Sequence, residues 1–175
     1  MTRSILITGV AGSGKTTICE ELTRQGYPAI SLEDIKELFI MRDKETKEPI
    51  TNLDNDDLEA VEKTEWICNK KKLQELIKKT SGKLVFYAGI ASNLDDLLPL
   101  FEEIVLLKAS NETLRKRLST RTNNDYARTE EVQKRLFDWK DSWEAHMIEK
   151  GAYVVNANQK LEQITQELIS HFIEK

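Results

Sequence analysis

The chain has 175 residues, a formal net charge of −4, a pI near 5.4 and 39% hydrophobic content. That is enough for one domain with a real core, and its acidity argues against nucleic acid as the main partner. No apolar run is long enough to span a bilayer, no signal peptide precedes the first core strand, and Cys19 and Cys68 have neither metal nor redox spacing; a cytoplasmic protein, monomer or homodimer, is the expectation.

In chain order, Ile5–Thr8 is a short apolar run of the kind that forms a buried parallel strand. Gly9-Val10-Ala11-Gly12-Ser13-Gly14-Lys15-Thr16 follows and matches G-x-x-x-x-G-K-[ST] in full. Thr16 to Thr23 then reads as the first turns of a helix. Strand, glycine loop and helix in that order are the context in which backbone N–H groups wrap phosphate oxygens. Gly9, Gly12, Ser13, Gly14, Lys15, Thr16 and Thr17 are therefore the candidate nucleotide-binding residues, with the Lys15 ammonium on the β- and γ-phosphates and the Thr16 hydroxyl on Mg²⁺. ATP and Mg²⁺ are the cofactors this loop calls for; no guanine-reading N-K-x-D occurs.

A second strand, Ala29–Leu32, runs into Glu33-Asp34 at the carboxyl end of the sheet, where ligands bind in open α/β folds. Asp34 is the candidate there for accepting a hydroxyl proton or supporting the metal, or for capping a helix, and Glu33 is read as pointing elsewhere. From Glu33 to Glu65 there are 12 acidic and 5 basic residues. Arg42 to Leu53 looks irregular. Asn55-Asp56-Asp57 can cap a long helix ending near Thr80-Ser81-Gly82, so 33–80 is expected to be a helical insertion on the substrate side.

The third strand, Leu84–Tyr87, ends in Ala88-Gly89-Ile90-Ala91-Ser92-Asn93, where Ser92-Asn93 can cap a short helix or face the substrate, the cap being preferred. After the fourth strand, Ile104–Leu107, Ser110 can cap a helix with Arg117 and Arg121 four apart on one face. Arg128 lies in a short polar stretch, and Arg135 on a helix capped by Thr129. From Lys108 to Lys140 there are 9 basic and 5 acidic residues. Guanidinium groups fork onto phosphate oxygens and stack on purines, so Arg117, Arg121 and Arg135 are assigned to function, and Arg115, Lys116 and Lys134 to a solvated face. Trp139 and Trp143, four apart, are read as lining the core or the edge of a substrate cleft rather than stacking a cofactor, with the core preferred. A last strand, Tyr153–Val155, precedes a helix with Leu161, Ile164, Leu168 and Phe172 at core spacing. The alternation predicts an α/β fold with a parallel sheet and right-handed crossovers.

With the N-terminal loop, Arg117-Leu118-Ser119-Thr120-Arg121 and Glu131-Val132-Gln133-Lys134-Arg135-Leu136 resemble the helices entering and leaving the lid of the adenylate-kinase-like branch of P-loop kinases, which includes shikimate and gluconate kinases. Val154-Val155-Asn156-Ala157-Asn158 resembles the loop whose backbone lies against adenine. The resemblance implies a three-layer fold over residues 1–175 with a five-stranded parallel sheet of order 2-3-1-4-5 and a short helical lid at 122–129. It also implies Arg117 over adenine beside Ala157, Arg121 and Arg135 on the phosphates, and Arg128 as the lid arginine. Two features of the adenylate kinases are missing: the Asp-Gly-Phe-Pro-Arg expected after the third strand, and the substrate-side arginine whose place Glu37 takes. A monophosphate acceptor needs such arginines. The expected activity is therefore phosphoryl transfer from ATP to a neutral or cationic hydroxyl compound; an ATP-binding switch or weak ATPase is the other reading.

Overall fold

The computed structural model describes residues 2–122 and 124–173; Met1, Asn123 of the predicted lid and residues 174–175 lie outside them. In chain order the elements are β1 (Arg3–Thr8), α1 (Lys15–Arg24), β2 (Ala29–Ser31), β3 (Phe39–Asp43), α2 (Leu58–Glu62), β4 (Thr64–Cys68), α3 (Lys70–Lys79), β5 (Leu84–Ala88), α4 (Leu94–Leu97), β6 (Glu103–Lys108), α5 (Asn111–Thr120), α6 (Glu130–Glu149), β7 (Tyr153–Asn156) and α7 (Leu161–Phe172).

Five strands form one parallel sheet, ordered β2-β5-β1-β6-β7. Counted among themselves the five stand in the order 2-3-1-4-5; the chain numbering differs because an unforeseen two-stranded sheet, β3-β4, intervenes. The central strand shows why its sequence is a continuous apolar run. Ile5 and Ile7 pack with Phe86, Val105 and Leu107 under α1 and α7, while Leu6 packs on the other face with Tyr87, Leu106 and Met147. Both faces are covered, so strand residues of either parity are buried, giving three layers.

Inside the insertion the sequence reading is corrected. The helix expected from Asp57 to about Thr80 is broken in two by a strand. Asp57 does cap a helix, accepting from the Glu59 and Ala60 N–H groups at 2.9 and 3.3 Å, but α2 stops after Glu62. Thr64-Glu65-Trp66-Ile67-Cys68 then pairs antiparallel with Phe39–Asp43, with Met41 opposite Trp66. β-branched and aromatic residues favour that pleated surface over a helix, and Phe39 stacks on Trp66 with centroids 5.0 Å apart. A fresh cap, Asn69, starts α3 by accepting from Lys72 N at 3.0 Å. The stretch from Arg42, expected to be irregular, begins inside β3 and turns at Asp43, whose carboxylate accepts from Glu45 N and Thr46 N at 2.8 Å.

The hairpin is fastened to the sheet by Ser92 and Asn93. The Ser92 hydroxyl oxygen accepts from Trp66 N at 2.9 Å, and the Asn93 amide exchanges two 3.0 Å bonds with the Cys68 backbone. Neither side chain caps α4, contrary to the sequence expectation. Ser110 and Thr129 cap α5 and α6 as expected. Cys19 and Cys68 are free and buried, their thiols pushed up to about 11, chiefly by burial.

Candidate active site

The loop after β1 folds into a cradle at the carboxyl end of the sheet. Gly12 and Gly14 have φ of +83° and +99°, a region that glycine enters without a Cβ penalty. Gly9 is needed for another reason: a Cβ there would come within 2.5 Å of Ser13 Oγ and 2.9 Å of the Leu107 carbonyl. No side chain caps α1 at Gly14, so the N–H groups of its first turn face the cradle. The Ser13 hydroxyl is buried without a partner. A buried donor in that state asks for an acceptor, and nucleotide phosphate oxygens fit.

Lys15 is buried, and its Nζ donates to the Gly9 carbonyl at 2.8 Å and the Val10 carbonyl at 3.3 Å. Burial holds its pKa below the usual lysine range, while the Glu33 carboxylate pulls in the other direction. Thr16 and Thr17 stand on the cleft wall beside it.

Arg117 joins two segments that the sequence resemblance links to nucleotide. Its Nη1 donates to the Gly12 and Ser13 carbonyls at 3.4 and 3.3 Å, and its Nη2 to the Ala157 carbonyl at 2.8 Å. Ala157 is itself fixed by its N–H to the Lys108 carbonyl at 2.8 Å. Arg121 donates to the Tyr126 carbonyl and, at 3.4 Å, to Asn124 Oδ1; its Nε is buried and unpartnered. Burial and the nearby Arg128 charge hold the Arg121 guanidinium below its usual range. Arg135 lines the cleft and donates from Nε to Glu62 Oε1 at 3.1 Å. Arg128 is exposed and off the cleft wall. Its segment is pinned by buried Gln133, which donates to the Ala127 carbonyl at 3.0 Å.

Asp34 and Glu33 exchange places relative to the sequence reading. The segment is a single 3₁₀ turn, Leu32–Asp34, in which successive side chains diverge by a third of a revolution. Leu32 goes into the core, Glu33 faces the cleft, and Asp34 is exposed and off the wall. Asp34 caps no helix. Glu33 is therefore the carboxylate that faces Lys15 and Arg121. The sequence reading passed over it by taking the segment as α-helical.

The cleft holds about 1100 Å³, room for a nucleotide and a second ligand. Besides the cradle its lining includes the apolar side chains of Met41, Trp66, Ile90, Leu136, Trp139 and Trp143, with Lys44, Asn55, Thr64 and Ser92 among them. Trp139 and Trp143, read as core or cleft edge, are half-buried: they pack on the core and also present surface to the cleft. Among the described residues no three His, Cys, Asp or Glu side chains converge on a possible cation site. A Mg²⁺ here would rest on the Thr16 hydroxyl, waters and the nucleotide's own oxygens, a donor set that suits it. The two histidines stand apart from this chemistry: His146 meets Asp95 at 2.9 Å, and His171 stacks on Tyr153 at 3.8 Å.

A family model described as "AAA domain" matches residues 5–138. Solved structures share the fold at low identity. Deoxyadenosine kinase from M. mycoides with bound dATP superposes with a TM-score of 0.61 at 16% identity, over 98% of this chain and 99% of that one. Shikimate kinase from Acinetobacter baumannii in complex with shikimate gives 0.59 at 17%, over 99% and 96%. A gluconokinase from Sinorhizobium meliloti 1021 gives 0.50 at 22%, over 96% and 90%. Among the described residues no helix is long and apolar enough to cross a membrane.

Proposed function

The chain belongs to the AAA domain family, and we propose that it works as a small-molecule kinase, moving the γ-phosphoryl group of ATP onto a hydroxyl acceptor that is not a nucleoside monophosphate. One observation carries the reading: a single cleft of about 1100 Å³ is lined by the phosphate cradle and also by side chains of the β3-β4 hairpin and α6, with room for a second ligand beside a nucleotide. A nucleotide switch has no use for that room.

ATP would lie with its phosphates in the Gly9–Thr16 loop and its adenine towards Arg117 and Gln159, a neighbour on the same wall. Lys15 and Arg121 would neutralise charge on the transferring group, joined by Arg135 once it leaves Glu62 and by Arg128 if the lid segment folds inward. Mg²⁺, when bound, adds charge neutralisation at the phosphates. Glu33 would orient the acceptor hydroxyl and take its proton as the oxygen bonds to the γ-phosphorus and the bond to the ADP oxygen breaks. Closure would exclude water, which otherwise competes as the acceptor.

The weak-ATPase or switch reading draws on Ala88 at the end of β5, which puts no acidic side chain at that position. ADP release from ATP·Mg²⁺ with nucleosides, nucleoside monophosphates, sugars, sugar acids and amino alcohols separates the two, with Lys15→Ala as blank. Acceleration by one class establishes the kinase. A slow rate indifferent to every acceptor establishes the ATPase.

A further inference from the structure

We infer that the acceptor is an uncharged alcohol carried on a flat, π-rich ring, seated against Trp66, Trp139 and Trp143. The inference rests on the kinase reading and names its second substrate by class.

The chain has three tryptophans, and all three line this one cleft. They come from two separate elements, β4 and α6, and each is half-buried, so part of every indole remains open. Phe39 stacks on Trp66, nearly parallel to it. Trp139 and Trp143 meet edge to face, at 86° and 5.8 Å. An edge-to-face pair turns one ring plane and one ring edge outward, and a flat ligand ring is matched by both. Met41, Ile90 and Leu136 line the same cleft, so a ligand body seated there buries apolar surface, with Ser92, Thr64 and Asn55 among the uncharged polar groups it can meet.

The cations that could hold an anionic acceptor are either paired within the protein or, as with Arg135 on leaving Glu62, assigned to the transferring phosphoryl group. Arg135 donates to Glu62 Oε1, and Lys44 to the Glu62 carbonyl. Arg42 and Lys47 both pair with Glu65, at 2.7 and 3.0 Å, and neither reaches the wall. The unpartnered Nε of Arg121 lies at the phosphate end, close enough to Lys15 to depress its pKa. A carboxylate or phosphate on the acceptor would thus have to displace an internal pair or go without one. A cationic acceptor fares no better, since five basic and two acidic side chains line the cleft. One of those two acids, Asp125, accepts from Asn55 Nδ2 at 2.8 Å. That leaves Glu33, which makes no hydrogen bond or ion pair among the described residues and sits towards Lys15, where the reacting hydroxyl must be.

The three indole N–H resonances of the full chain, with ADP·Mg²⁺ present, test this directly. Thymidine and pyridoxine serve as ring alcohols, glycerol and inositol as neutral alcohols without an aromatic ring, gluconate and AMP as anions, and choline as a cation; each is also assayed for ADP release from ATP. A ring alcohol is expected to shift all three resonances saturably and to accelerate ADP release. Trp143→Leu should raise its KM at least tenfold with ATP affinity unchanged, and Trp139→Phe, a milder change should the first not fold, should raise it less. If gluconate, choline or a non-aromatic alcohol accelerates release and neither ring alcohol does, the kinase stands and this inference falls; if AMP alone does, the exclusion of nucleoside monophosphates falls with it. If a ring alcohol shifts the indoles without accelerating release, the ring pocket stands and the kinase falls. Silence in both assays from every probe overturns both.

Discussion

The Arg117 guanidinium donates from Nη2 to the Ala157 carbonyl at 2.8 Å, so one side chain on α5 holds the loop after β7 against the glycine loop after β1. Ser13 and Ala157 are 144 residues apart in the chain, yet both loops line one cleft, and among the described residues no backbone bond joins them. Replacing Arg117 with Met keeps the aliphatic length and removes the fork. Bonds to a charged donor contribute about 1.5–3 kcal/mol each, so losing even one should weaken ATP binding by ten- to a hundredfold. Calorimetric titration reads this directly. An unchanged affinity would mean that the two loops keep their places without Arg117 and that it makes no contact with the nucleotide.

Lys15→Met should separate nucleotide binding from folding. The wild type gains stability from ATP, about 2.7 kcal/mol at a hundredfold excess over Kd, and the variant should gain none. The pH dependence has a definite sign. Burial lowers the Lys15 pKa in the fold, so the unfolded chain binds that proton more tightly. Stability of the ligand-free wild type therefore rises, relative to the variant, from the lowered folded-state value up to the ordinary value near 10.5. Urea midpoints of both proteins from neutral pH to about pH 10 check it; a wild type that loses ground to the variant across that range contradicts the burial argument.

Glu33 and Asp34 give the sharpest discrimination, because they are neighbours with opposite predicted outcomes. Glu33→Gln should lower kcat on the order of a hundredfold or more, the usual scale for a lost general base. Asp34→Asn, on an exposed side chain off the cleft wall, should stay within a few-fold of wild type. The reverse pattern would return the catalytic role to Asp34.

That pair also marks where the sequence stopped being legible. The loop, the five core strands and the caps at Ser110 and Thr129 rest on local rules of spacing and polarity, and they could be read directly. Asp34 against Glu33 turned on whether three residues form an α-turn or a 3₁₀ turn, which the sheet decides by burying Leu32. The break after Glu62 was hidden because β4 is held by partners far away, Phe39–Asp43 and Ser92-Asn93, that no local pattern announces. For Trp139 and Trp143 the sequence left core and cleft edge both open, because half-buried indoles at helical spacing look alike until the hairpin carrying Trp66 closes the other side.

The long helix α6 carries Arg135, Trp139 and Trp143 on the cleft, so what anchors its far face bears on the site. That anchor is ionic. Glu144 is fully buried, with its carboxylate 3.4 Å from buried Lys140 and 3.6 Å from Lys108 at the end of β6. Burial raises the Glu144 pKa, the two ammonium groups opposing it only in part. Glu144→Ala would leave buried Lys140 only the exposed Asp141 carboxylate, 3.1 Å away, and breaking a buried pair costs up to about 3–5 kcal/mol. Replacing both members with apolar side chains is often neutral, so Lys140→Met with Glu144→Leu should recover most of the loss. A double-mutant cycle in urea measures the coupling. If Glu144→Ala costs under about 1 kcal/mol, the pair is not anchoring the helix. If the double variant regains stability but not activity, the charges do more than hold α6 in place.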